Sequence, residues 1–232
     1  MKHLPNIITL VNLLMGCFSV LALAANRAEL LFYFLPIALL ADFLDGLAAR
    51  LLNAYSELGK QLDSLADLVS FGLVPGLIFY YMIAGSLQVI SWWGLLGFAY
   101  TIAAAMRLGK FNIDTRQTTQ FLGLPTPAGA IMVLGLLYWY LFPEPLWQGL
   151  MANLYLQIVG VALLAMALLI ELPMFSFKIQ PWQWVGNEIK FIFAIAAGIL
   201  LLIGHFASLP IIIMLYMLLS IGKWLLKSKK EI

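Results

Sequence analysis

Eight apolar runs, each close to twenty residues long, follow one another along this chain and leave it little choice of fold. They lie at 5–25, 30–52, 64–84, 88–107, 126–142, 150–171, 189–205 and 208–226. A bilayer's hydrocarbon core, about 30 Å thick, needs roughly 20 apolar helical residues to cross it. The chain therefore reads as an all-α, polytopic integral membrane bundle of about eight transmembrane helices, with residues 1–232 forming a single membrane domain. No internal repeat or linker interrupts it, and no room remains for a soluble domain. Composition agrees, with 63% of residues hydrophobic and 10% charged, where a soluble domain carries about a quarter charged. That excludes a soluble enzyme, a secreted disulfide scaffold, a disordered chain and a nucleic-acid-binding module, so no nucleic acid is expected as a partner. Cys17 is the single cysteine, so no intramolecular disulfide can form.

The scarce charges set the orientation. With both termini in the cytoplasm, Lys2, Arg50, Lys60, Arg107, Lys110, Arg116, Lys178, Lys190, Lys223, Lys227, Lys229 and Lys230 fall at cytoplasmic ends or loops, and Arg27 alone of the 13 basic residues falls outside. Such a bias is what the positive-inside rule predicts for an even number of crossings. Trp92, Trp93, Trp139, Tyr140, Trp147 and Trp182 lie near span ends, as an interfacial aromatic belt requires. The first run, with Lys2 and His3 ahead of it and Ala22-Leu23-Ala24 near its end, has the outline of a secretory signal. Pro5, Asn6, Thr9 and Asn12 interrupt it and it is long for that role, so retention is expected.

Four of the 11 acidic residues crowd one place. Asp42 and Asp45 lie near the cytoplasmic end of the second run, and Asp63 and Asp67 at the start of the third. A carboxylate at membrane depth is costly and normally faces the bundle interior, marking a function. Spacings of three and four residues put each pair on one helix face, and the short link 51–62 makes the two helices antiparallel neighbours. Four carboxylates share a small site only if something positive joins them. No histidine or cysteine is close in sequence, so the ligand set is hard oxygen, suited to Mg²⁺, Mn²⁺ or Ca²⁺ rather than zinc. Two divalent ions would balance the charge and can clamp both oxygens of a phosphoryl displacement. Structural ion pairing with Arg50 and Lys60 is one alternative, and a cation pathway through a transporter is another. Gly46 and Gly59 beside the acids admit either a ligand or a neighbouring backbone.

Residues 42–67 read D-F-L-D-G-L-A-A-R-L-L-N-A-Y-S-E-L-G-K-Q-L-D-S-L-A-D. This resembles the signature of the CDP-alcohol phosphatidyltransferase family, D-x2-D-G-x2-A-R-x8-G-x3-D-x3-D, with Asp42, Asp45, Gly46, Ala49, Arg50, Gly59, Asp63 and Asp67 on its fixed positions. The resemblance implies a six-helix core holding two divalent metal ions, Mg²⁺ or Mn²⁺, here with two further helices. It makes Asp42, Asp45 and Asp63 the main metal ligands, and Asp67 a ligand of the second ion as well as the general base. Gly46, Ala49, Arg50, Ser56 and Gly59 would line the site for the CDP-lipid, with Arg50 near the phosphates. The family's amino-terminal P-N-x-x-T element, facing the nucleotide, is matched by Pro5, Asn6 and Thr9, and Asn12 lies one turn further on.

Two more segments resemble the phosphatidylserine synthase branch of that family, Arg107-Leu108-Gly109-Lys110-Phe111-Asn112 and Phe121-Leu122-Gly123-Leu124-Pro125-Thr126-Pro127. Lysine stands at Lys110 where the branch often has arginine, keeping the charge but losing the bidentate fork. The implied reaction is attack of the L-serine hydroxyl on the phosphatidyl phosphorus of CDP-diacylglycerol, giving phosphatidylserine and CMP. Serine's carboxylate asks for a cation, for which Arg107, Lys110 and Arg116 are available; Asn12, Asn112, Pro125 and Thr126 complete the expected serine site. The expected setting is the cytoplasmic membrane with the active site facing the cytoplasm, and the resemblance implies a homodimer. Rival readings are the same chemistry on glycerol 3-phosphate or an inositol phosphate, an ether-linked lipid substrate, and a divalent-cation transporter. Trp182, Trp184, Asn187, Glu188 and Lys190 form a lid, an interface or plain packing. Lys223, Lys227, Lys229 and Lys230 anchor the tail to anionic lipid, and His205 is given no chemistry. The resemblance covers the first 135 residues or so; the last three runs rest on hydropathy.

Overall fold

A computed structural model describes residues 3–88, 90–113, 121–174 and 187–228. Lys2, Arg116, Lys178, Trp182, Trp184, Lys229 and Lys230 lie outside the described residues.

Helix α1 (Leu4–Ala24) carries Pro5 in its first turn, where the missing N–H costs nothing. Its buried face is Pro5, Thr9, Asn12, Gly16, Ser19 and Leu23, while Ile7, Leu10, Leu14, Phe18 and Leu21 point outward. Polar and small groups lie inside and large apolar ones outside, the reverse of a helix in water and the pattern of helices packed in lipid. Helix α2 (Leu31–Leu51) repeats it, burying Ala38, Ala41 and Asp45 and exposing Tyr33, Ile37, Leu40 and Phe43.

Helix α3 (Glu57–Asp67) starts at Glu57 rather than at 64, because the Ser56 hydroxyl accepts the Gly59 N–H at 3.0 Å and caps it. It runs into a π-helical segment, Leu68–Leu73, and then into α4 (Val74–Ala84). Pro75 has no N–H to return to the preceding turn, and the wide turn is tied on both sides. Ser70 Oγ donates to the Asn12 carbonyl at 2.9 Å and Thr101 Oγ1 to the Gly72 carbonyl at 3.0 Å. Helix α1 packs along both α2 and α3. Helices α2 and α3 also face each other as expected, through the carboxylates of Asp42, Asp63 and Asp67, with α1 as the shared support.

The fourth run is also shifted. Its first residues, with Trp92 and Trp93 exposed, form a loop and a 3-10 turn at Gly94–Gly97, and helix α5 spans Phe98–Ile113. Arg107, Lys110 and Asn112 thus sit on the last turns of a helix. Next come β1 (Phe121–Leu122), α6 (Thr126–Leu141), α7 (Pro145–Ala152), α8 (Leu154–Leu169) and β2 (Pro173–Met174). The two strands pair antiparallel, Phe121 opposite Met174, and tie the start of α6 to the end of α8. Helix α7 bends 104° from α6, and Trp147 stacks on Trp139 with centroids 5.4 Å apart.

Helices α9 (Glu188–Gly204) and α10 (Leu209–Ser228) follow without a loop, yet they fold back on one another. The Phe193 and Tyr216 rings are 5.8 Å apart, whereas an unbroken helix would separate them by about 34 Å. His205, at φ 45°, makes the reversal. Leu23, Leu31, Leu35, Phe79, Tyr100, Leu134, Leu137, Leu168 and Tyr216 share one core that joins both halves of the chain.

The fold is all-α and of membrane type. Among the described residues four helical stretches, one of them the folded-back α9–α10 pair, are long and apolar enough to cross a bilayer, or five if α6 and α7 form one bent span. Eight crossings are not all matched by that measure, because α5, α6 and α8 have 16 residues each, about 24 Å of helix.

Candidate active site

The polar stripe of α1, the inner face of α2 and the inner face of α3 converge. Asp42, Asp63 and Asp67 each bring a carboxylate oxygen within 4.8 Å of the others'. Asp67 is buried and accepts from Asn12 Nδ2 at 3.1 Å. Asp45, one turn along α2 and also buried, is 2.6 Å from the Thr9 hydroxyl, which stands 3.0 Å from the Pro5 carbonyl as well. Asp45 is the one of the four expected ligands that stands outside the close trio.

No lysine or arginine reaches these carboxylates among the described residues, where the ion pair found is Arg27 with Glu29. Arg50 Nε donates to the Gly46 carbonyl at 3.0 Å and Lys60 Nζ to the Asn112 carbonyl at 2.8 Å. Structural ion pairing with Arg50 and Lys60 therefore does not explain the acids. Three clustered carboxylates with no ion pair to a lysine or arginine among the described residues fit a hard divalent cation by donor type and spacing.

An open cleft of about 570 Å³ begins at Asp45 and Asp63. Asn6, Thr9, Gly46, Ala49, Ser56 and Gly59, all expected at the CDP-lipid site, line it. Arg50, expected with them, does not; it is exposed and folded back on its own helix. At Gly59 a Cβ would sit 3.0 Å from both Asn6 Oδ1 and Ser56 Oγ, so glycine lets α1 and α3 meet. At Gly46 a Cβ would meet only an Arg50 nitrogen at 3.7 Å, leaving room for a ligand. Tyr55 and Lys60 also line the cleft and were missed; an aromatic ring and a cation flanking the Ser56 cap were the signal.

The expected serine residues divide in two. Asn12, Arg107 and Thr126 are buried, with Arg107 Nη1 3.5 Å from Thr126 Oγ1 and Pro125 immediately ahead of α6. Lys110 is exposed, and Asn112 is bonded to Ser64 through its side chain, Nδ2 to Oγ at 2.9 Å. Lys60 and Ser64 thereby clasp the end of α5 against α3.

Fold and site together describe an all-α protein of membrane type with a carboxylate cluster beside an open cleft. The chain belongs to the CDP-alcohol phosphatidyltransferase family, whose model matches residues 2–172. It is 36% identical over 136 residues to a CDP-diacylglycerol–serine O-phosphatidyltransferase of Bacillus subtilis, covering 58% of this chain and 75% of that one. A protein of the same description from Helicobacter pylori is 29% identical over 232 residues, covering 95% and 90%. One from Methanocaldococcus jannaschii is 33% identical over 128 residues, covering 55% and 57%. Family membership displaces the transporter reading.

Proposed function

We propose that this protein transfers the phosphatidyl group of CDP-diacylglycerol to the hydroxyl of L-serine, forming phosphatidylserine and releasing CMP. The observation that carries the reading is the position of the carboxylate cluster. Asp63 of that cluster lines the open cleft together with Gly46 and Gly59, and Asp67 of the same cluster is within electrostatic range of buried Arg107, which approaches Thr126. The relatives' shared description supports serine as the acceptor.

Asp42, Asp63 and Asp67 would hold the divalent ions, Mg²⁺ or Mn²⁺, with Asp45 one turn away. When bound, such ions neutralise phosphate charge and stabilise the charge that develops in phosphoryl transfer. The remaining work falls to side chains. Asn6, Thr9, Gly46 and Gly59 seat the nucleotide end of the lipid. Arg107 attracts the serine carboxylate. Asp67, oriented by Asn12, takes the serine hydroxyl proton as oxygen bonds to the phosphatidyl phosphorus and the bond to the CMP oxygen breaks. The barrier falls through positioning and electrostatics. In this reading the lipid enters sideways between helices, while serine and CMP exchange with the cytoplasm. Both termini are cytoplasmic in the inner membrane, the chain makes eight crossings, and the working unit is a homodimer.

Isotopically labelled serine supplied with CDP-diacylglycerol and Mg²⁺ or Mn²⁺ should appear in the lipid phase. No incorporation with either metal would overturn the serine assignment.

A further inference from the structure

Outside the lining of the cleft, three buried polar atoms on α1 and α5 have no partner among the described residues: Asn12 Oδ1, Tyr100 OH and Arg107 Nε. Asn12 and Tyr100 are wholly buried and Arg107 is 8% exposed. Folded proteins leave very few such groups unmet, and three together mark space kept for a polar ligand.

Their placement is specific. Tyr100 and Arg107 lie seven residues apart on one face of α5. Both address the same face of α6: Arg107 approaches Thr126, and the Tyr100 hydroxyl lies so close to Gly129 that a Cβ there would overlap it. Residues three apart on a helix are neighbours separated by about 5–6 Å, a gap one small anionic group can bridge. The Arg107 guanidinium is also within electrostatic range of Asp67 and of Tyr216 on α10, and Tyr216 is 2% exposed. Asn12 reaches the same place, since its Nδ2 is bonded to Asp67.

The unmet atoms complement an α-amino acid. Arg107 and a hydroxyl suit a carboxylate, the side-chain oxygen Oδ1 of Asn12 suits an ammonium, and Asp67 stands where a side-chain hydroxyl must lose its proton. We infer that Tyr100 is a specificity-determining residue of the acceptor site, its hydroxyl occupying the space that Gly129 leaves open and donating to the acceptor's carboxylate beside Arg107. The inference rests on the proposed reaction with serine.

Steady-state kinetics on the purified full-length protein tests it. Tyr100→Phe should raise the KM for serine about tenfold or more, the scale of a lost hydrogen bond to a charged group, while the KM for CDP-diacylglycerol moves less than about twofold. Gly129→Ala should raise the serine KM in the wild-type background and add little to Tyr100→Phe, because both act on the same hydroxyl. An unchanged serine KM in Tyr100→Phe, or equal changes in both KM values, overturns the inference while leaving the proposed function in place. Independent, additive effects of the two substitutions also overturn it. Absence of serine-dependent turnover in the wild type overturns the proposed function itself.

Discussion

Asp67 is the residue on which most of the chemistry converges. It is buried, it accepts from Asn12, and it is one of three carboxylates with oxygens within 4.8 Å. Asp67→Asn keeps the shape but removes the base, so turnover should fall by about 10²–10⁴-fold with CDP-diacylglycerol still bound. Turnover by CMP release and binding by lipid titration check this; wild-type turnover would remove the base assignment. The clustering of the aspartates was legible in the sequence, because a helix fixes which neighbours share a face and the spacing 42–67 spans just two helices. Six of the seven residues that the resemblance implies around the CDP-lipid line the cleft; Arg50 does not, since a long side chain can return to its own backbone, as its bond to Gly46 does. Tyr100 was invisible for another reason. In sequence it is one more aromatic residue in an apolar run, and only the fold reveals that its hydroxyl is buried and unmet.

At the scale of elements, the active site depends on where α3 begins. Ser56 fixes that point by capping, and it also lines the cleft. Ser56→Ala should lower stability by about 1 kcal/mol, and Ser56→Asp, which preserves a cap acceptor, should restore most of it. Thermal unfolding in detergent reads the difference, and equal midpoints for the serine and alanine proteins would contradict the capping role. Hydropathy located most of the runs but misjudged their edges. Ile90, Trp92 and Trp93 are apolar enough to read as span, yet they stand exposed in the loop before α5. The π segment at Leu68–Leu73 has no signature in apolar periodicity; Gly72 and Pro75 were its only outward signs. It matters because it immediately follows Asp67 and holds the Asn12 carbonyl through Ser70, and π turns recur at functional sites.

For the whole molecule, the polar stripe of α1 and the carboxylates of α2 and α3 come together at one place, while α6 and α10 join the core packed around it. The inward orientation proposed here has a direct check, because Cys17 is the single native cysteine. In a Cys17→Ser background, Arg27→Cys should be labelled by an impermeant thiol reagent from outside intact cells. Glu57→Cys should be labelled only after the membrane is opened. The reverse pattern would invert the topology. The central claim is the reaction, and CMP release tests it most directly. Purified protein is incubated with CDP-diacylglycerol, Mg²⁺ or Mn²⁺, and in turn serine, glycerol 3-phosphate or an inositol phosphate. CMP release that depends on serine and on the metal, and is not matched by either phosphorylated alcohol, is the predicted result. Release independent of serine, or none with any acceptor, would contradict it.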